Sequence, residues 1–193
     1  MLQREMVRNM KPDEPIVLTT DRLVLRPTCE ADLEDFIRVG SHLAVARNTG
    51  TFPHPFTREF AVERLAKQMK SLEEGTGVCF AIRLKATGEG IGSTGFFGLN
   101  REHGTAEVGY VIDPAHAGRG YATESLGAVV RHAFEDWGVR KLCACYFMDN
   151  PASGRVLEKA AFVREGVRRK QFVRLGELRD DVMVGLLREE YQK

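Results

Sequence analysis

The run HAGRGYATES, His116 to Ser125, sets two glycines around an arginine between an apolar strand-like stretch and a strongly helical pattern. Glycine inside a helix costs roughly 1 kcal/mol relative to alanine, so its placement here calls for a reason. One reason is a tight turn from strand to helix. The other is chemical: amide N–H groups at a helix start, bare of side chains and at the positive end of the dipole, can hold a phosphate or pyrophosphate. Arg119 would add a flexible cation. The glycines alone leave both readings open. The run is not G-x-G-x-x-G inside a βαβ unit, and nothing in the chain matches G-x-x-x-x-G-K-[ST]. A dinucleotide fold is therefore disfavoured and a P-loop excluded.

The elements that must position this turn can be read from hydrophobic spacing. Residues 16–18 and 23–27 are strand-like, with Val24 and Arg26 facing away from Leu23 and Leu25, and 32–39 is a short helix. A proline-rich link, TFPHPFT, ends at Thr57, which can cap a helix over 58–72 with an apolar stripe of Phe60, Val62, Leu65 and Met69. Three extended runs, 78–84, 90–99 and 106–112, joined by short glycine-containing connections, predict an antiparallel meander. After the glycine turn, Ala122, Leu126, Val129, Val130, Ala133 and Trp137 recur at helical spacing, and Gly138 suits a C-terminal cap. A strand over 141–148, a helix over 152–159 and strands over 162–167 and 178–187 complete a mixed α/β (α+β) pattern.

Composition narrows the function classes. At 193 residues, 43% apolar and 28% charged, the chain suits a single domain over 16–193 behind a loose leader at 1–15. Lys and Arg total 28 against 27 for Asp and Glu, so no overall basic field points to nucleic acid. No run reaches the roughly 18 apolar residues of a membrane span, and the N-terminus lacks a signal-peptide core. The expectation is a soluble, cytoplasmic protein. Cys29, Cys79, Cys143 and Cys145 form no C-x-x-C pair and are expected to be buried thiols, the last two on one strand face. The five histidines (42, 54, 103, 116 and 132) make no ligand set, and no metal site is expected.

Ala117-Gly118-Arg119-Gly120-Tyr121-Ala122 resembles the R/Q-x-x-G-x-G/A phosphate loop of the GNAT superfamily of acetyl-coenzyme A-dependent N-acetyltransferases. TTDRLVLRP, AEVGYVIDP and DNPASGRVLEKAAFVREG, in that order, resemble further segments of its ribosomal-protein N-terminal acetyltransferase branch. The resemblance covers about 19–187. It implies a GNAT-type fold: a central, mostly antiparallel sheet of six to seven strands flanked by helices. In that family the fourth and fifth strands, here 106–112 and 141–148, start side by side and then splay around the cofactor.

Carried over residue by residue, the resemblance places the backbone of Tyr110, Val111 and Ile112 against the pantetheine amides, like an added strand. It places Ala117 and, through their amides, Gly118, Arg119, Gly120, Tyr121 and Ala122 around the pyrophosphate. Asn150 and Ser153 fall near the thioester and thiol. The implied function is acetyl transfer from acetyl-coenzyme A to a primary amine by direct attack, the acceptor being a protein N-terminus or a small molecule such as an amino acid, polyamine or aminoglycoside. A non-catalytic acyl-coenzyme A-binding or regulatory module is the alternative, and a homodimer is compatible with either. Glu107 is the candidate general base and Ser153, or a water, the acid. Glu124, on the first helical turn, better complements the dipole.

Three departures from the family pattern matter. Ala117 stands where Arg or Gln is usual, and Ala161 where glycine is usual, a minor change if the backbone angle there is ordinary. Leu157 stands where some relatives carry an acid tyrosine, which removes that acid. Arg168-Arg169-Lys170, read as a loop after the 162–167 strand, is either a solvated charge run or an attractor for acidic acceptors. Residues 52–56 either line the acceptor pocket or anchor the link through Phe52 and Phe56.

Overall fold

The computed structural model describes residues 16–191; the leader expected at 1–15 lies outside them. Strands β1 (Leu18–Thr19) and β2 (Leu23–Pro27) lead through a 3-10 turn into helices α1 (Leu33–Gly40), α2 (Leu43–Asn48) and α3 (Arg58–Glu73). The meander follows as β3 (Val78–Leu84), β4 (Gly90–Asn100) and β5 (Thr105–Ile112). Then come α4 (Tyr121–Glu135), β6 (Lys141–Phe147), α5 (Pro151–Lys159), β7 (Val163–Arg174) and β8 (Glu177–Leu187). They form one sheet in the order β1-β2-β3-β4-β5-β6-β8-β7. The sheet therefore has eight strands rather than six or seven, because both the two-residue β1 and the β7 edge pair into it.

Strand alternation sorts the two faces. Phe80 and Phe96 point toward α4, packing on His132, and Phe96 also meets Trp137. They join the main core with Leu126, Val129, Leu142, Leu157 and Leu186. Cys79 and Ser93, one position out of phase, point the other way toward α3. Under α1–α3 sits a smaller cluster of Phe36, Val39, Val45, Phe52, Phe56 and Ala61, with the Phe36, Phe52 and Phe56 rings 5.4–5.7 Å apart.

Thr57 caps α3 as expected, its side chain accepting from the Phe60 amide at 3.2 Å. The stripe is different. Ala61 and Leu65 are buried, whereas Val62 is 48% exposed. The inward face is 61-64-65-68, where Arg64 and Gln68 replace apolar residues and obscure the periodicity. α2 was not expected, being too short for a repeat. α4 ends at Glu135, short of Trp137, whose indole instead donates to His132 Nε2 at 3.0 Å, and Gly138 takes a left-handed φ of 66°.

Two expectations near the C-terminus need correction. Arg168, Arg169 and Lys170 lie within β7, not in a loop. A register shift between Arg168 and Phe172 and a Lys170 φ of 52° absorb the irregularity. Arg168 pairs with the fully buried Asp181 across to β8. Ala161 has a φ of 66°, so its backbone angle is not ordinary. It closes α5 as the left-handed residue of a Schellman turn. Ala161 N donates to Glu158 O and Phe162 N to Leu157 O, both at 3.0 Å, and Phe162 and Leu157 are both buried.

Candidate active site

Among the described residues, β5 and β6 are the only parallel neighbours in the sheet, and they pair at just three positions: Thr105–Lys141, Ala106–Leu142 and Glu107–Cys143. Beyond these, β5 continues along β4 to Ile112, while β6 continues along β8 to Phe147. The strands part, as the resemblance implies. The gap opens a cavity of about 770 Å³ lined from both faces of the sheet. On the α3 side lie Phe52, Arg64, Glu107, Cys143, Cys145 and Phe172. On the α5 side lie Thr94, Tyr110, Tyr146, Ser153 and Leu157.

Glu107 is exposed and lines this cavity. Its cross-strand partners are Phe97 and Cys143. Among the described residues it has neither an ion pair nor a hydrogen bond. Cys143 and Cys145 share one face, as their spacing predicts, but with Cys29 they are only half-buried. Cys79 alone is buried. Burial raises the Cys143 thiol and pushes that of Cys145 up to about 11, so neither is a ready thiolate.

On the opposite wall, the Tyr110 hydroxyl lies 2.7 Å from Ser153 Oγ and donates to Ser153 O at 3.0 Å. Burial pushes its phenol up to about 12, with the Ser153 contact opposing, so it stays protonated. The sequence reading gave a role only to the Tyr110 backbone. Its side chain places a hydroxyl on the cavity wall, whereas Leu157, buried in the core, has none. Gly154 lets Tyr146 lie flat on α5: a Cβ there would stand 2.9 Å from the ring. Thr94, cross-strand from Tyr110, has a buried Oγ1 with no partner among the described residues. Val111 also lines the cavity; Ile112 and Asn150 do not. Asn150 instead caps α5, accepting from the Ser153 amide at 3.2 Å, and thereby fixes the serine.

The glycine turn follows β5. Gly118 and Gly120 have φ of 75° and 82°, and Gly120 is the left-handed N-cap of α4. A Cβ at Gly118 would meet nothing within 4 Å, so packing does not demand glycine there. Among the described residues, the amides of Gly118, Arg119, Gly120, Tyr121 and Ala122 have no acceptor. The turn between β1 and β2 braces this turn through a contact the sequence did not suggest. Arg22 pairs with Glu124 at 2.6 Å, donates to Arg119 O at 3.0 Å, and lies 4.5 Å over the Tyr121 ring. Burial opposes ionisation of Glu124, but hydrogen bonds from Thr20 and Arg22 outweigh it and lower its pKa. Glu124 thus ties the helix start to the β1–β2 turn as well as complementing its dipole.

Phe52 is 3% exposed and lies on the cavity wall, whereas Phe56 is buried in the smaller cluster and does not line the cavity. Among the described residues, no cluster of His, Cys, Asp or Glu suits a metal ion, and no helix is long and apolar enough to cross a membrane.

Residues 22–163 match the acetyltransferase (GNAT) domain family. The uncharacterized N-acetyltransferase YoaA of Bacillus subtilis (strain 168) is 34% identical over 160 residues, 83% of this chain and 90% of that protein. Among solved structures, RimL, a ribosomal L7/L12 alpha-N-protein acetyltransferase in complex with coenzyme A, superposes with a TM-score of 0.84 at 18% identity, over 91% of this chain and all of that one. Spermidine N-acetyltransferase from Vibrio cholerae, in complex with coenzyme A and spermine, gives 0.79 at 21% identity, over 89% and 99%. The fold is thus shared with enzymes named for two different amines, and the chain belongs to the GNAT N-acetyltransferase family.

Proposed function

We propose that the protein transfers the acetyl group of acetyl-coenzyme A to a primary amine by direct attack inside the β5–β6 gap, with Glu107 as base and the Tyr110–Ser153 pair as acid. The observation that carries this reading is the cavity itself, with an unpaired carboxylate on one wall and a half-buried hydroxyl pair on the other. The residues present fit the cofactor. Acceptor-free amides from Gly118 to Ala122 offer a nest for pyrophosphate, with Arg119 beside it and Ala117 contributing no side-chain contact. The parted edge of β5 offers the backbone of Tyr110, Val111 and Ile112, and the orphaned Thr94 Oγ1 offers a further polar group. When bound, acetyl-coenzyme A supplies an activated thioester.

The rest falls to the protein. Glu107 accepts the proton that the amine loses as its nitrogen bonds to the acetyl carbon, directly or through one water. Tyr110 returns a proton to the departing sulfur, and Ser153 orients or relays it. Asn150 holds Ser153 from behind.

Acetyl-coenzyme A at 100 times its dissociation constant should stabilise the fold by about 2.7 kcal/mol, and NAD should not match it. Glu107→Gln should lower turnover roughly 10²- to 10⁴-fold with cofactor affinity unchanged. The loss should shrink at high pH, where the amine is already neutral. Near-normal turnover of Glu107→Gln across the pH profile would remove it from the mechanism. Tight binding without transfer to any amine would favour the non-catalytic module.

A further inference from the structure

We propose that the acceptor amine carries a carboxylate, which Arg64 holds at the α3 end of the cavity; this deepens the acetyl-transfer reading and rests on it. The charged side chains lining the cavity are Arg64, Lys67 and Glu107. Thr57 starts α3 so that 61, 64, 65 and 68 face inward, which aims Arg64 at the sheet where a core residue would otherwise stand. Its guanidinium lies 4.6 Å over the Phe52 ring, and its one hydrogen bond is long, 3.4 Å from Nη1 to Thr51 O. Its Nε is sealed from solvent with no acceptor. Among the described residues, neither Arg64 nor Lys67 has a carboxylate partner. By contrast Arg26, Arg38, Arg83 and Arg168 all do.

A half-buried guanidinium without a counter-charge is costly, and among the described residues only the Phe52 ring and the long bond to Thr51 O offset it. Burial accordingly lowers the Arg64 pKa, with only the nearby Cys79 pulling the other way. A ligand carboxylate is the group whose geometry suits the guanidinium fork. The two ends of the cavity then divide the acceptor. Glu107 faces the amine at the strand gap, and Arg64 faces the acid between α3 and β3. A polyamine fits poorly, since an ammonium beyond the reacting one would meet Arg64 and Lys67.

The test uses the whole chain and a series of amino-carboxylic acids of increasing length, each beside its carboxamide. Spermidine and peptides beginning with Asp or Asn complete the panel, the peptide pair separating an N-terminal acidic side chain from a free amino acid. At the best length the acid should exceed its amide in kcat/KM by roughly tenfold or more, the scale of one charged hydrogen-bonded pair. Arg64→Gln should bring that ratio close to one, and Arg64→Lys should keep part of it. Equal use of acid and amide by the wild type, a preference for spermidine, or a ratio that survives Arg64→Gln would overturn the proposal. If Arg64→Gln does not fold, the wild-type ratio and Arg64→Lys decide. Calorimetric titration of the acid into protein loaded with coenzyme A separates the two readings. Arg64-dependent binding without transfer would refute the reaction and keep the subsite, whereas transfer without acid preference would refute the subsite alone.

Discussion

Tyr110→Phe removes one oxygen and leaves the ring in place, so it isolates the hydroxyl pair. The lost oxygen is 2.7 Å from Ser153 Oγ and 3.0 Å from Ser153 O. Two neutral hydrogen bonds contribute about 0.5–1.5 kcal/mol each, and Ser153 lines an open cavity where water can partly replace them, so the stability loss should be about 1–2 kcal/mol. In a chain of this size that lowers Tm by about 2–8 °C. The kinetic loss should be larger in proportion. A general acid contributes roughly 10²-fold or more, and the low end applies because a thiol with a pKa near 8.5 leaves tolerably unaided. Ser153→Ala should cost less, because Tyr110 keeps its bond to the Ser153 carbonyl. The double variant should be no worse than Tyr110→Phe alone, as expected of groups acting in series. Steady-state kcat for the four proteins, with calorimetric Tm as the control, completes the cycle. A Tyr110→Phe enzyme with full turnover and a lowered Tm would make the tyrosine a packing residue. Additive losses would separate the two hydroxyls.

Ala161→Gly should stabilise the protein by about 0.5–1 kcal/mol, since alanine pays roughly 1–2 kcal/mol for a left-handed angle and glycine returns part of the gain as entropy; denaturant unfolding at constant m-value checks it. Gly120→Val should weaken coenzyme A binding far more than Arg119→Ala, because a branched side chain at a φ of 82° intrudes on the amide nest whereas Arg119 adds a screened cation; equal, small losses by calorimetry would reduce the glycine to a turn. His132 is held below its ordinary pKa by burial, with Asp136 opposing. Its contribution to stability is therefore present above about pH 6.5, where the unfolded chain is neutral too, and is lost as acidification charges the unfolded state first. His132→Phe should flatten that acid slope in urea titrations.

How much could be read from sequence depended on whether a residue's role matched its local pattern. The glycine turn was legible because left-handed angles and bare amides demand glycine in a recognisable place, and the meander because short glycine-containing connections punctuate three extended runs. The parting of β5 and β6 came only through resemblance, since no local spacing encodes where two distant strands stop pairing. Arg64 and Gln68 were hidden by occupying core positions of α3 with polar side chains, which shifted the apparent stripe to Val62. The Tyr110 hydroxyl was missed because alternation marks that position merely as inward-facing. β7 ran past its expected end because a charged edge strand carries no apolar alternation, and its pairing depends on β8. Ala161 looked innocuous until its backbone angle was known.

The three-position contact between β5 and β6 also has a mechanical meaning. It divides the sheet into two antiparallel blocks, β1–β5 and β6–β8–β7, stitched by few backbone bonds and otherwise by the side chains of α4 and α5. Such a seam between two larger blocks is a weak line in the sheet, and thermal breathing should concentrate there rather than spread evenly. Anything that spans the gap then acts as a rivet as well as a reactant: it raises the cooperativity of unfolding, so that two blocks able to loosen separately melt as one. Reactivity and rigidity would be coupled by construction, with the chain most compliant when empty-handed and stiffest when the reacting groups are in place.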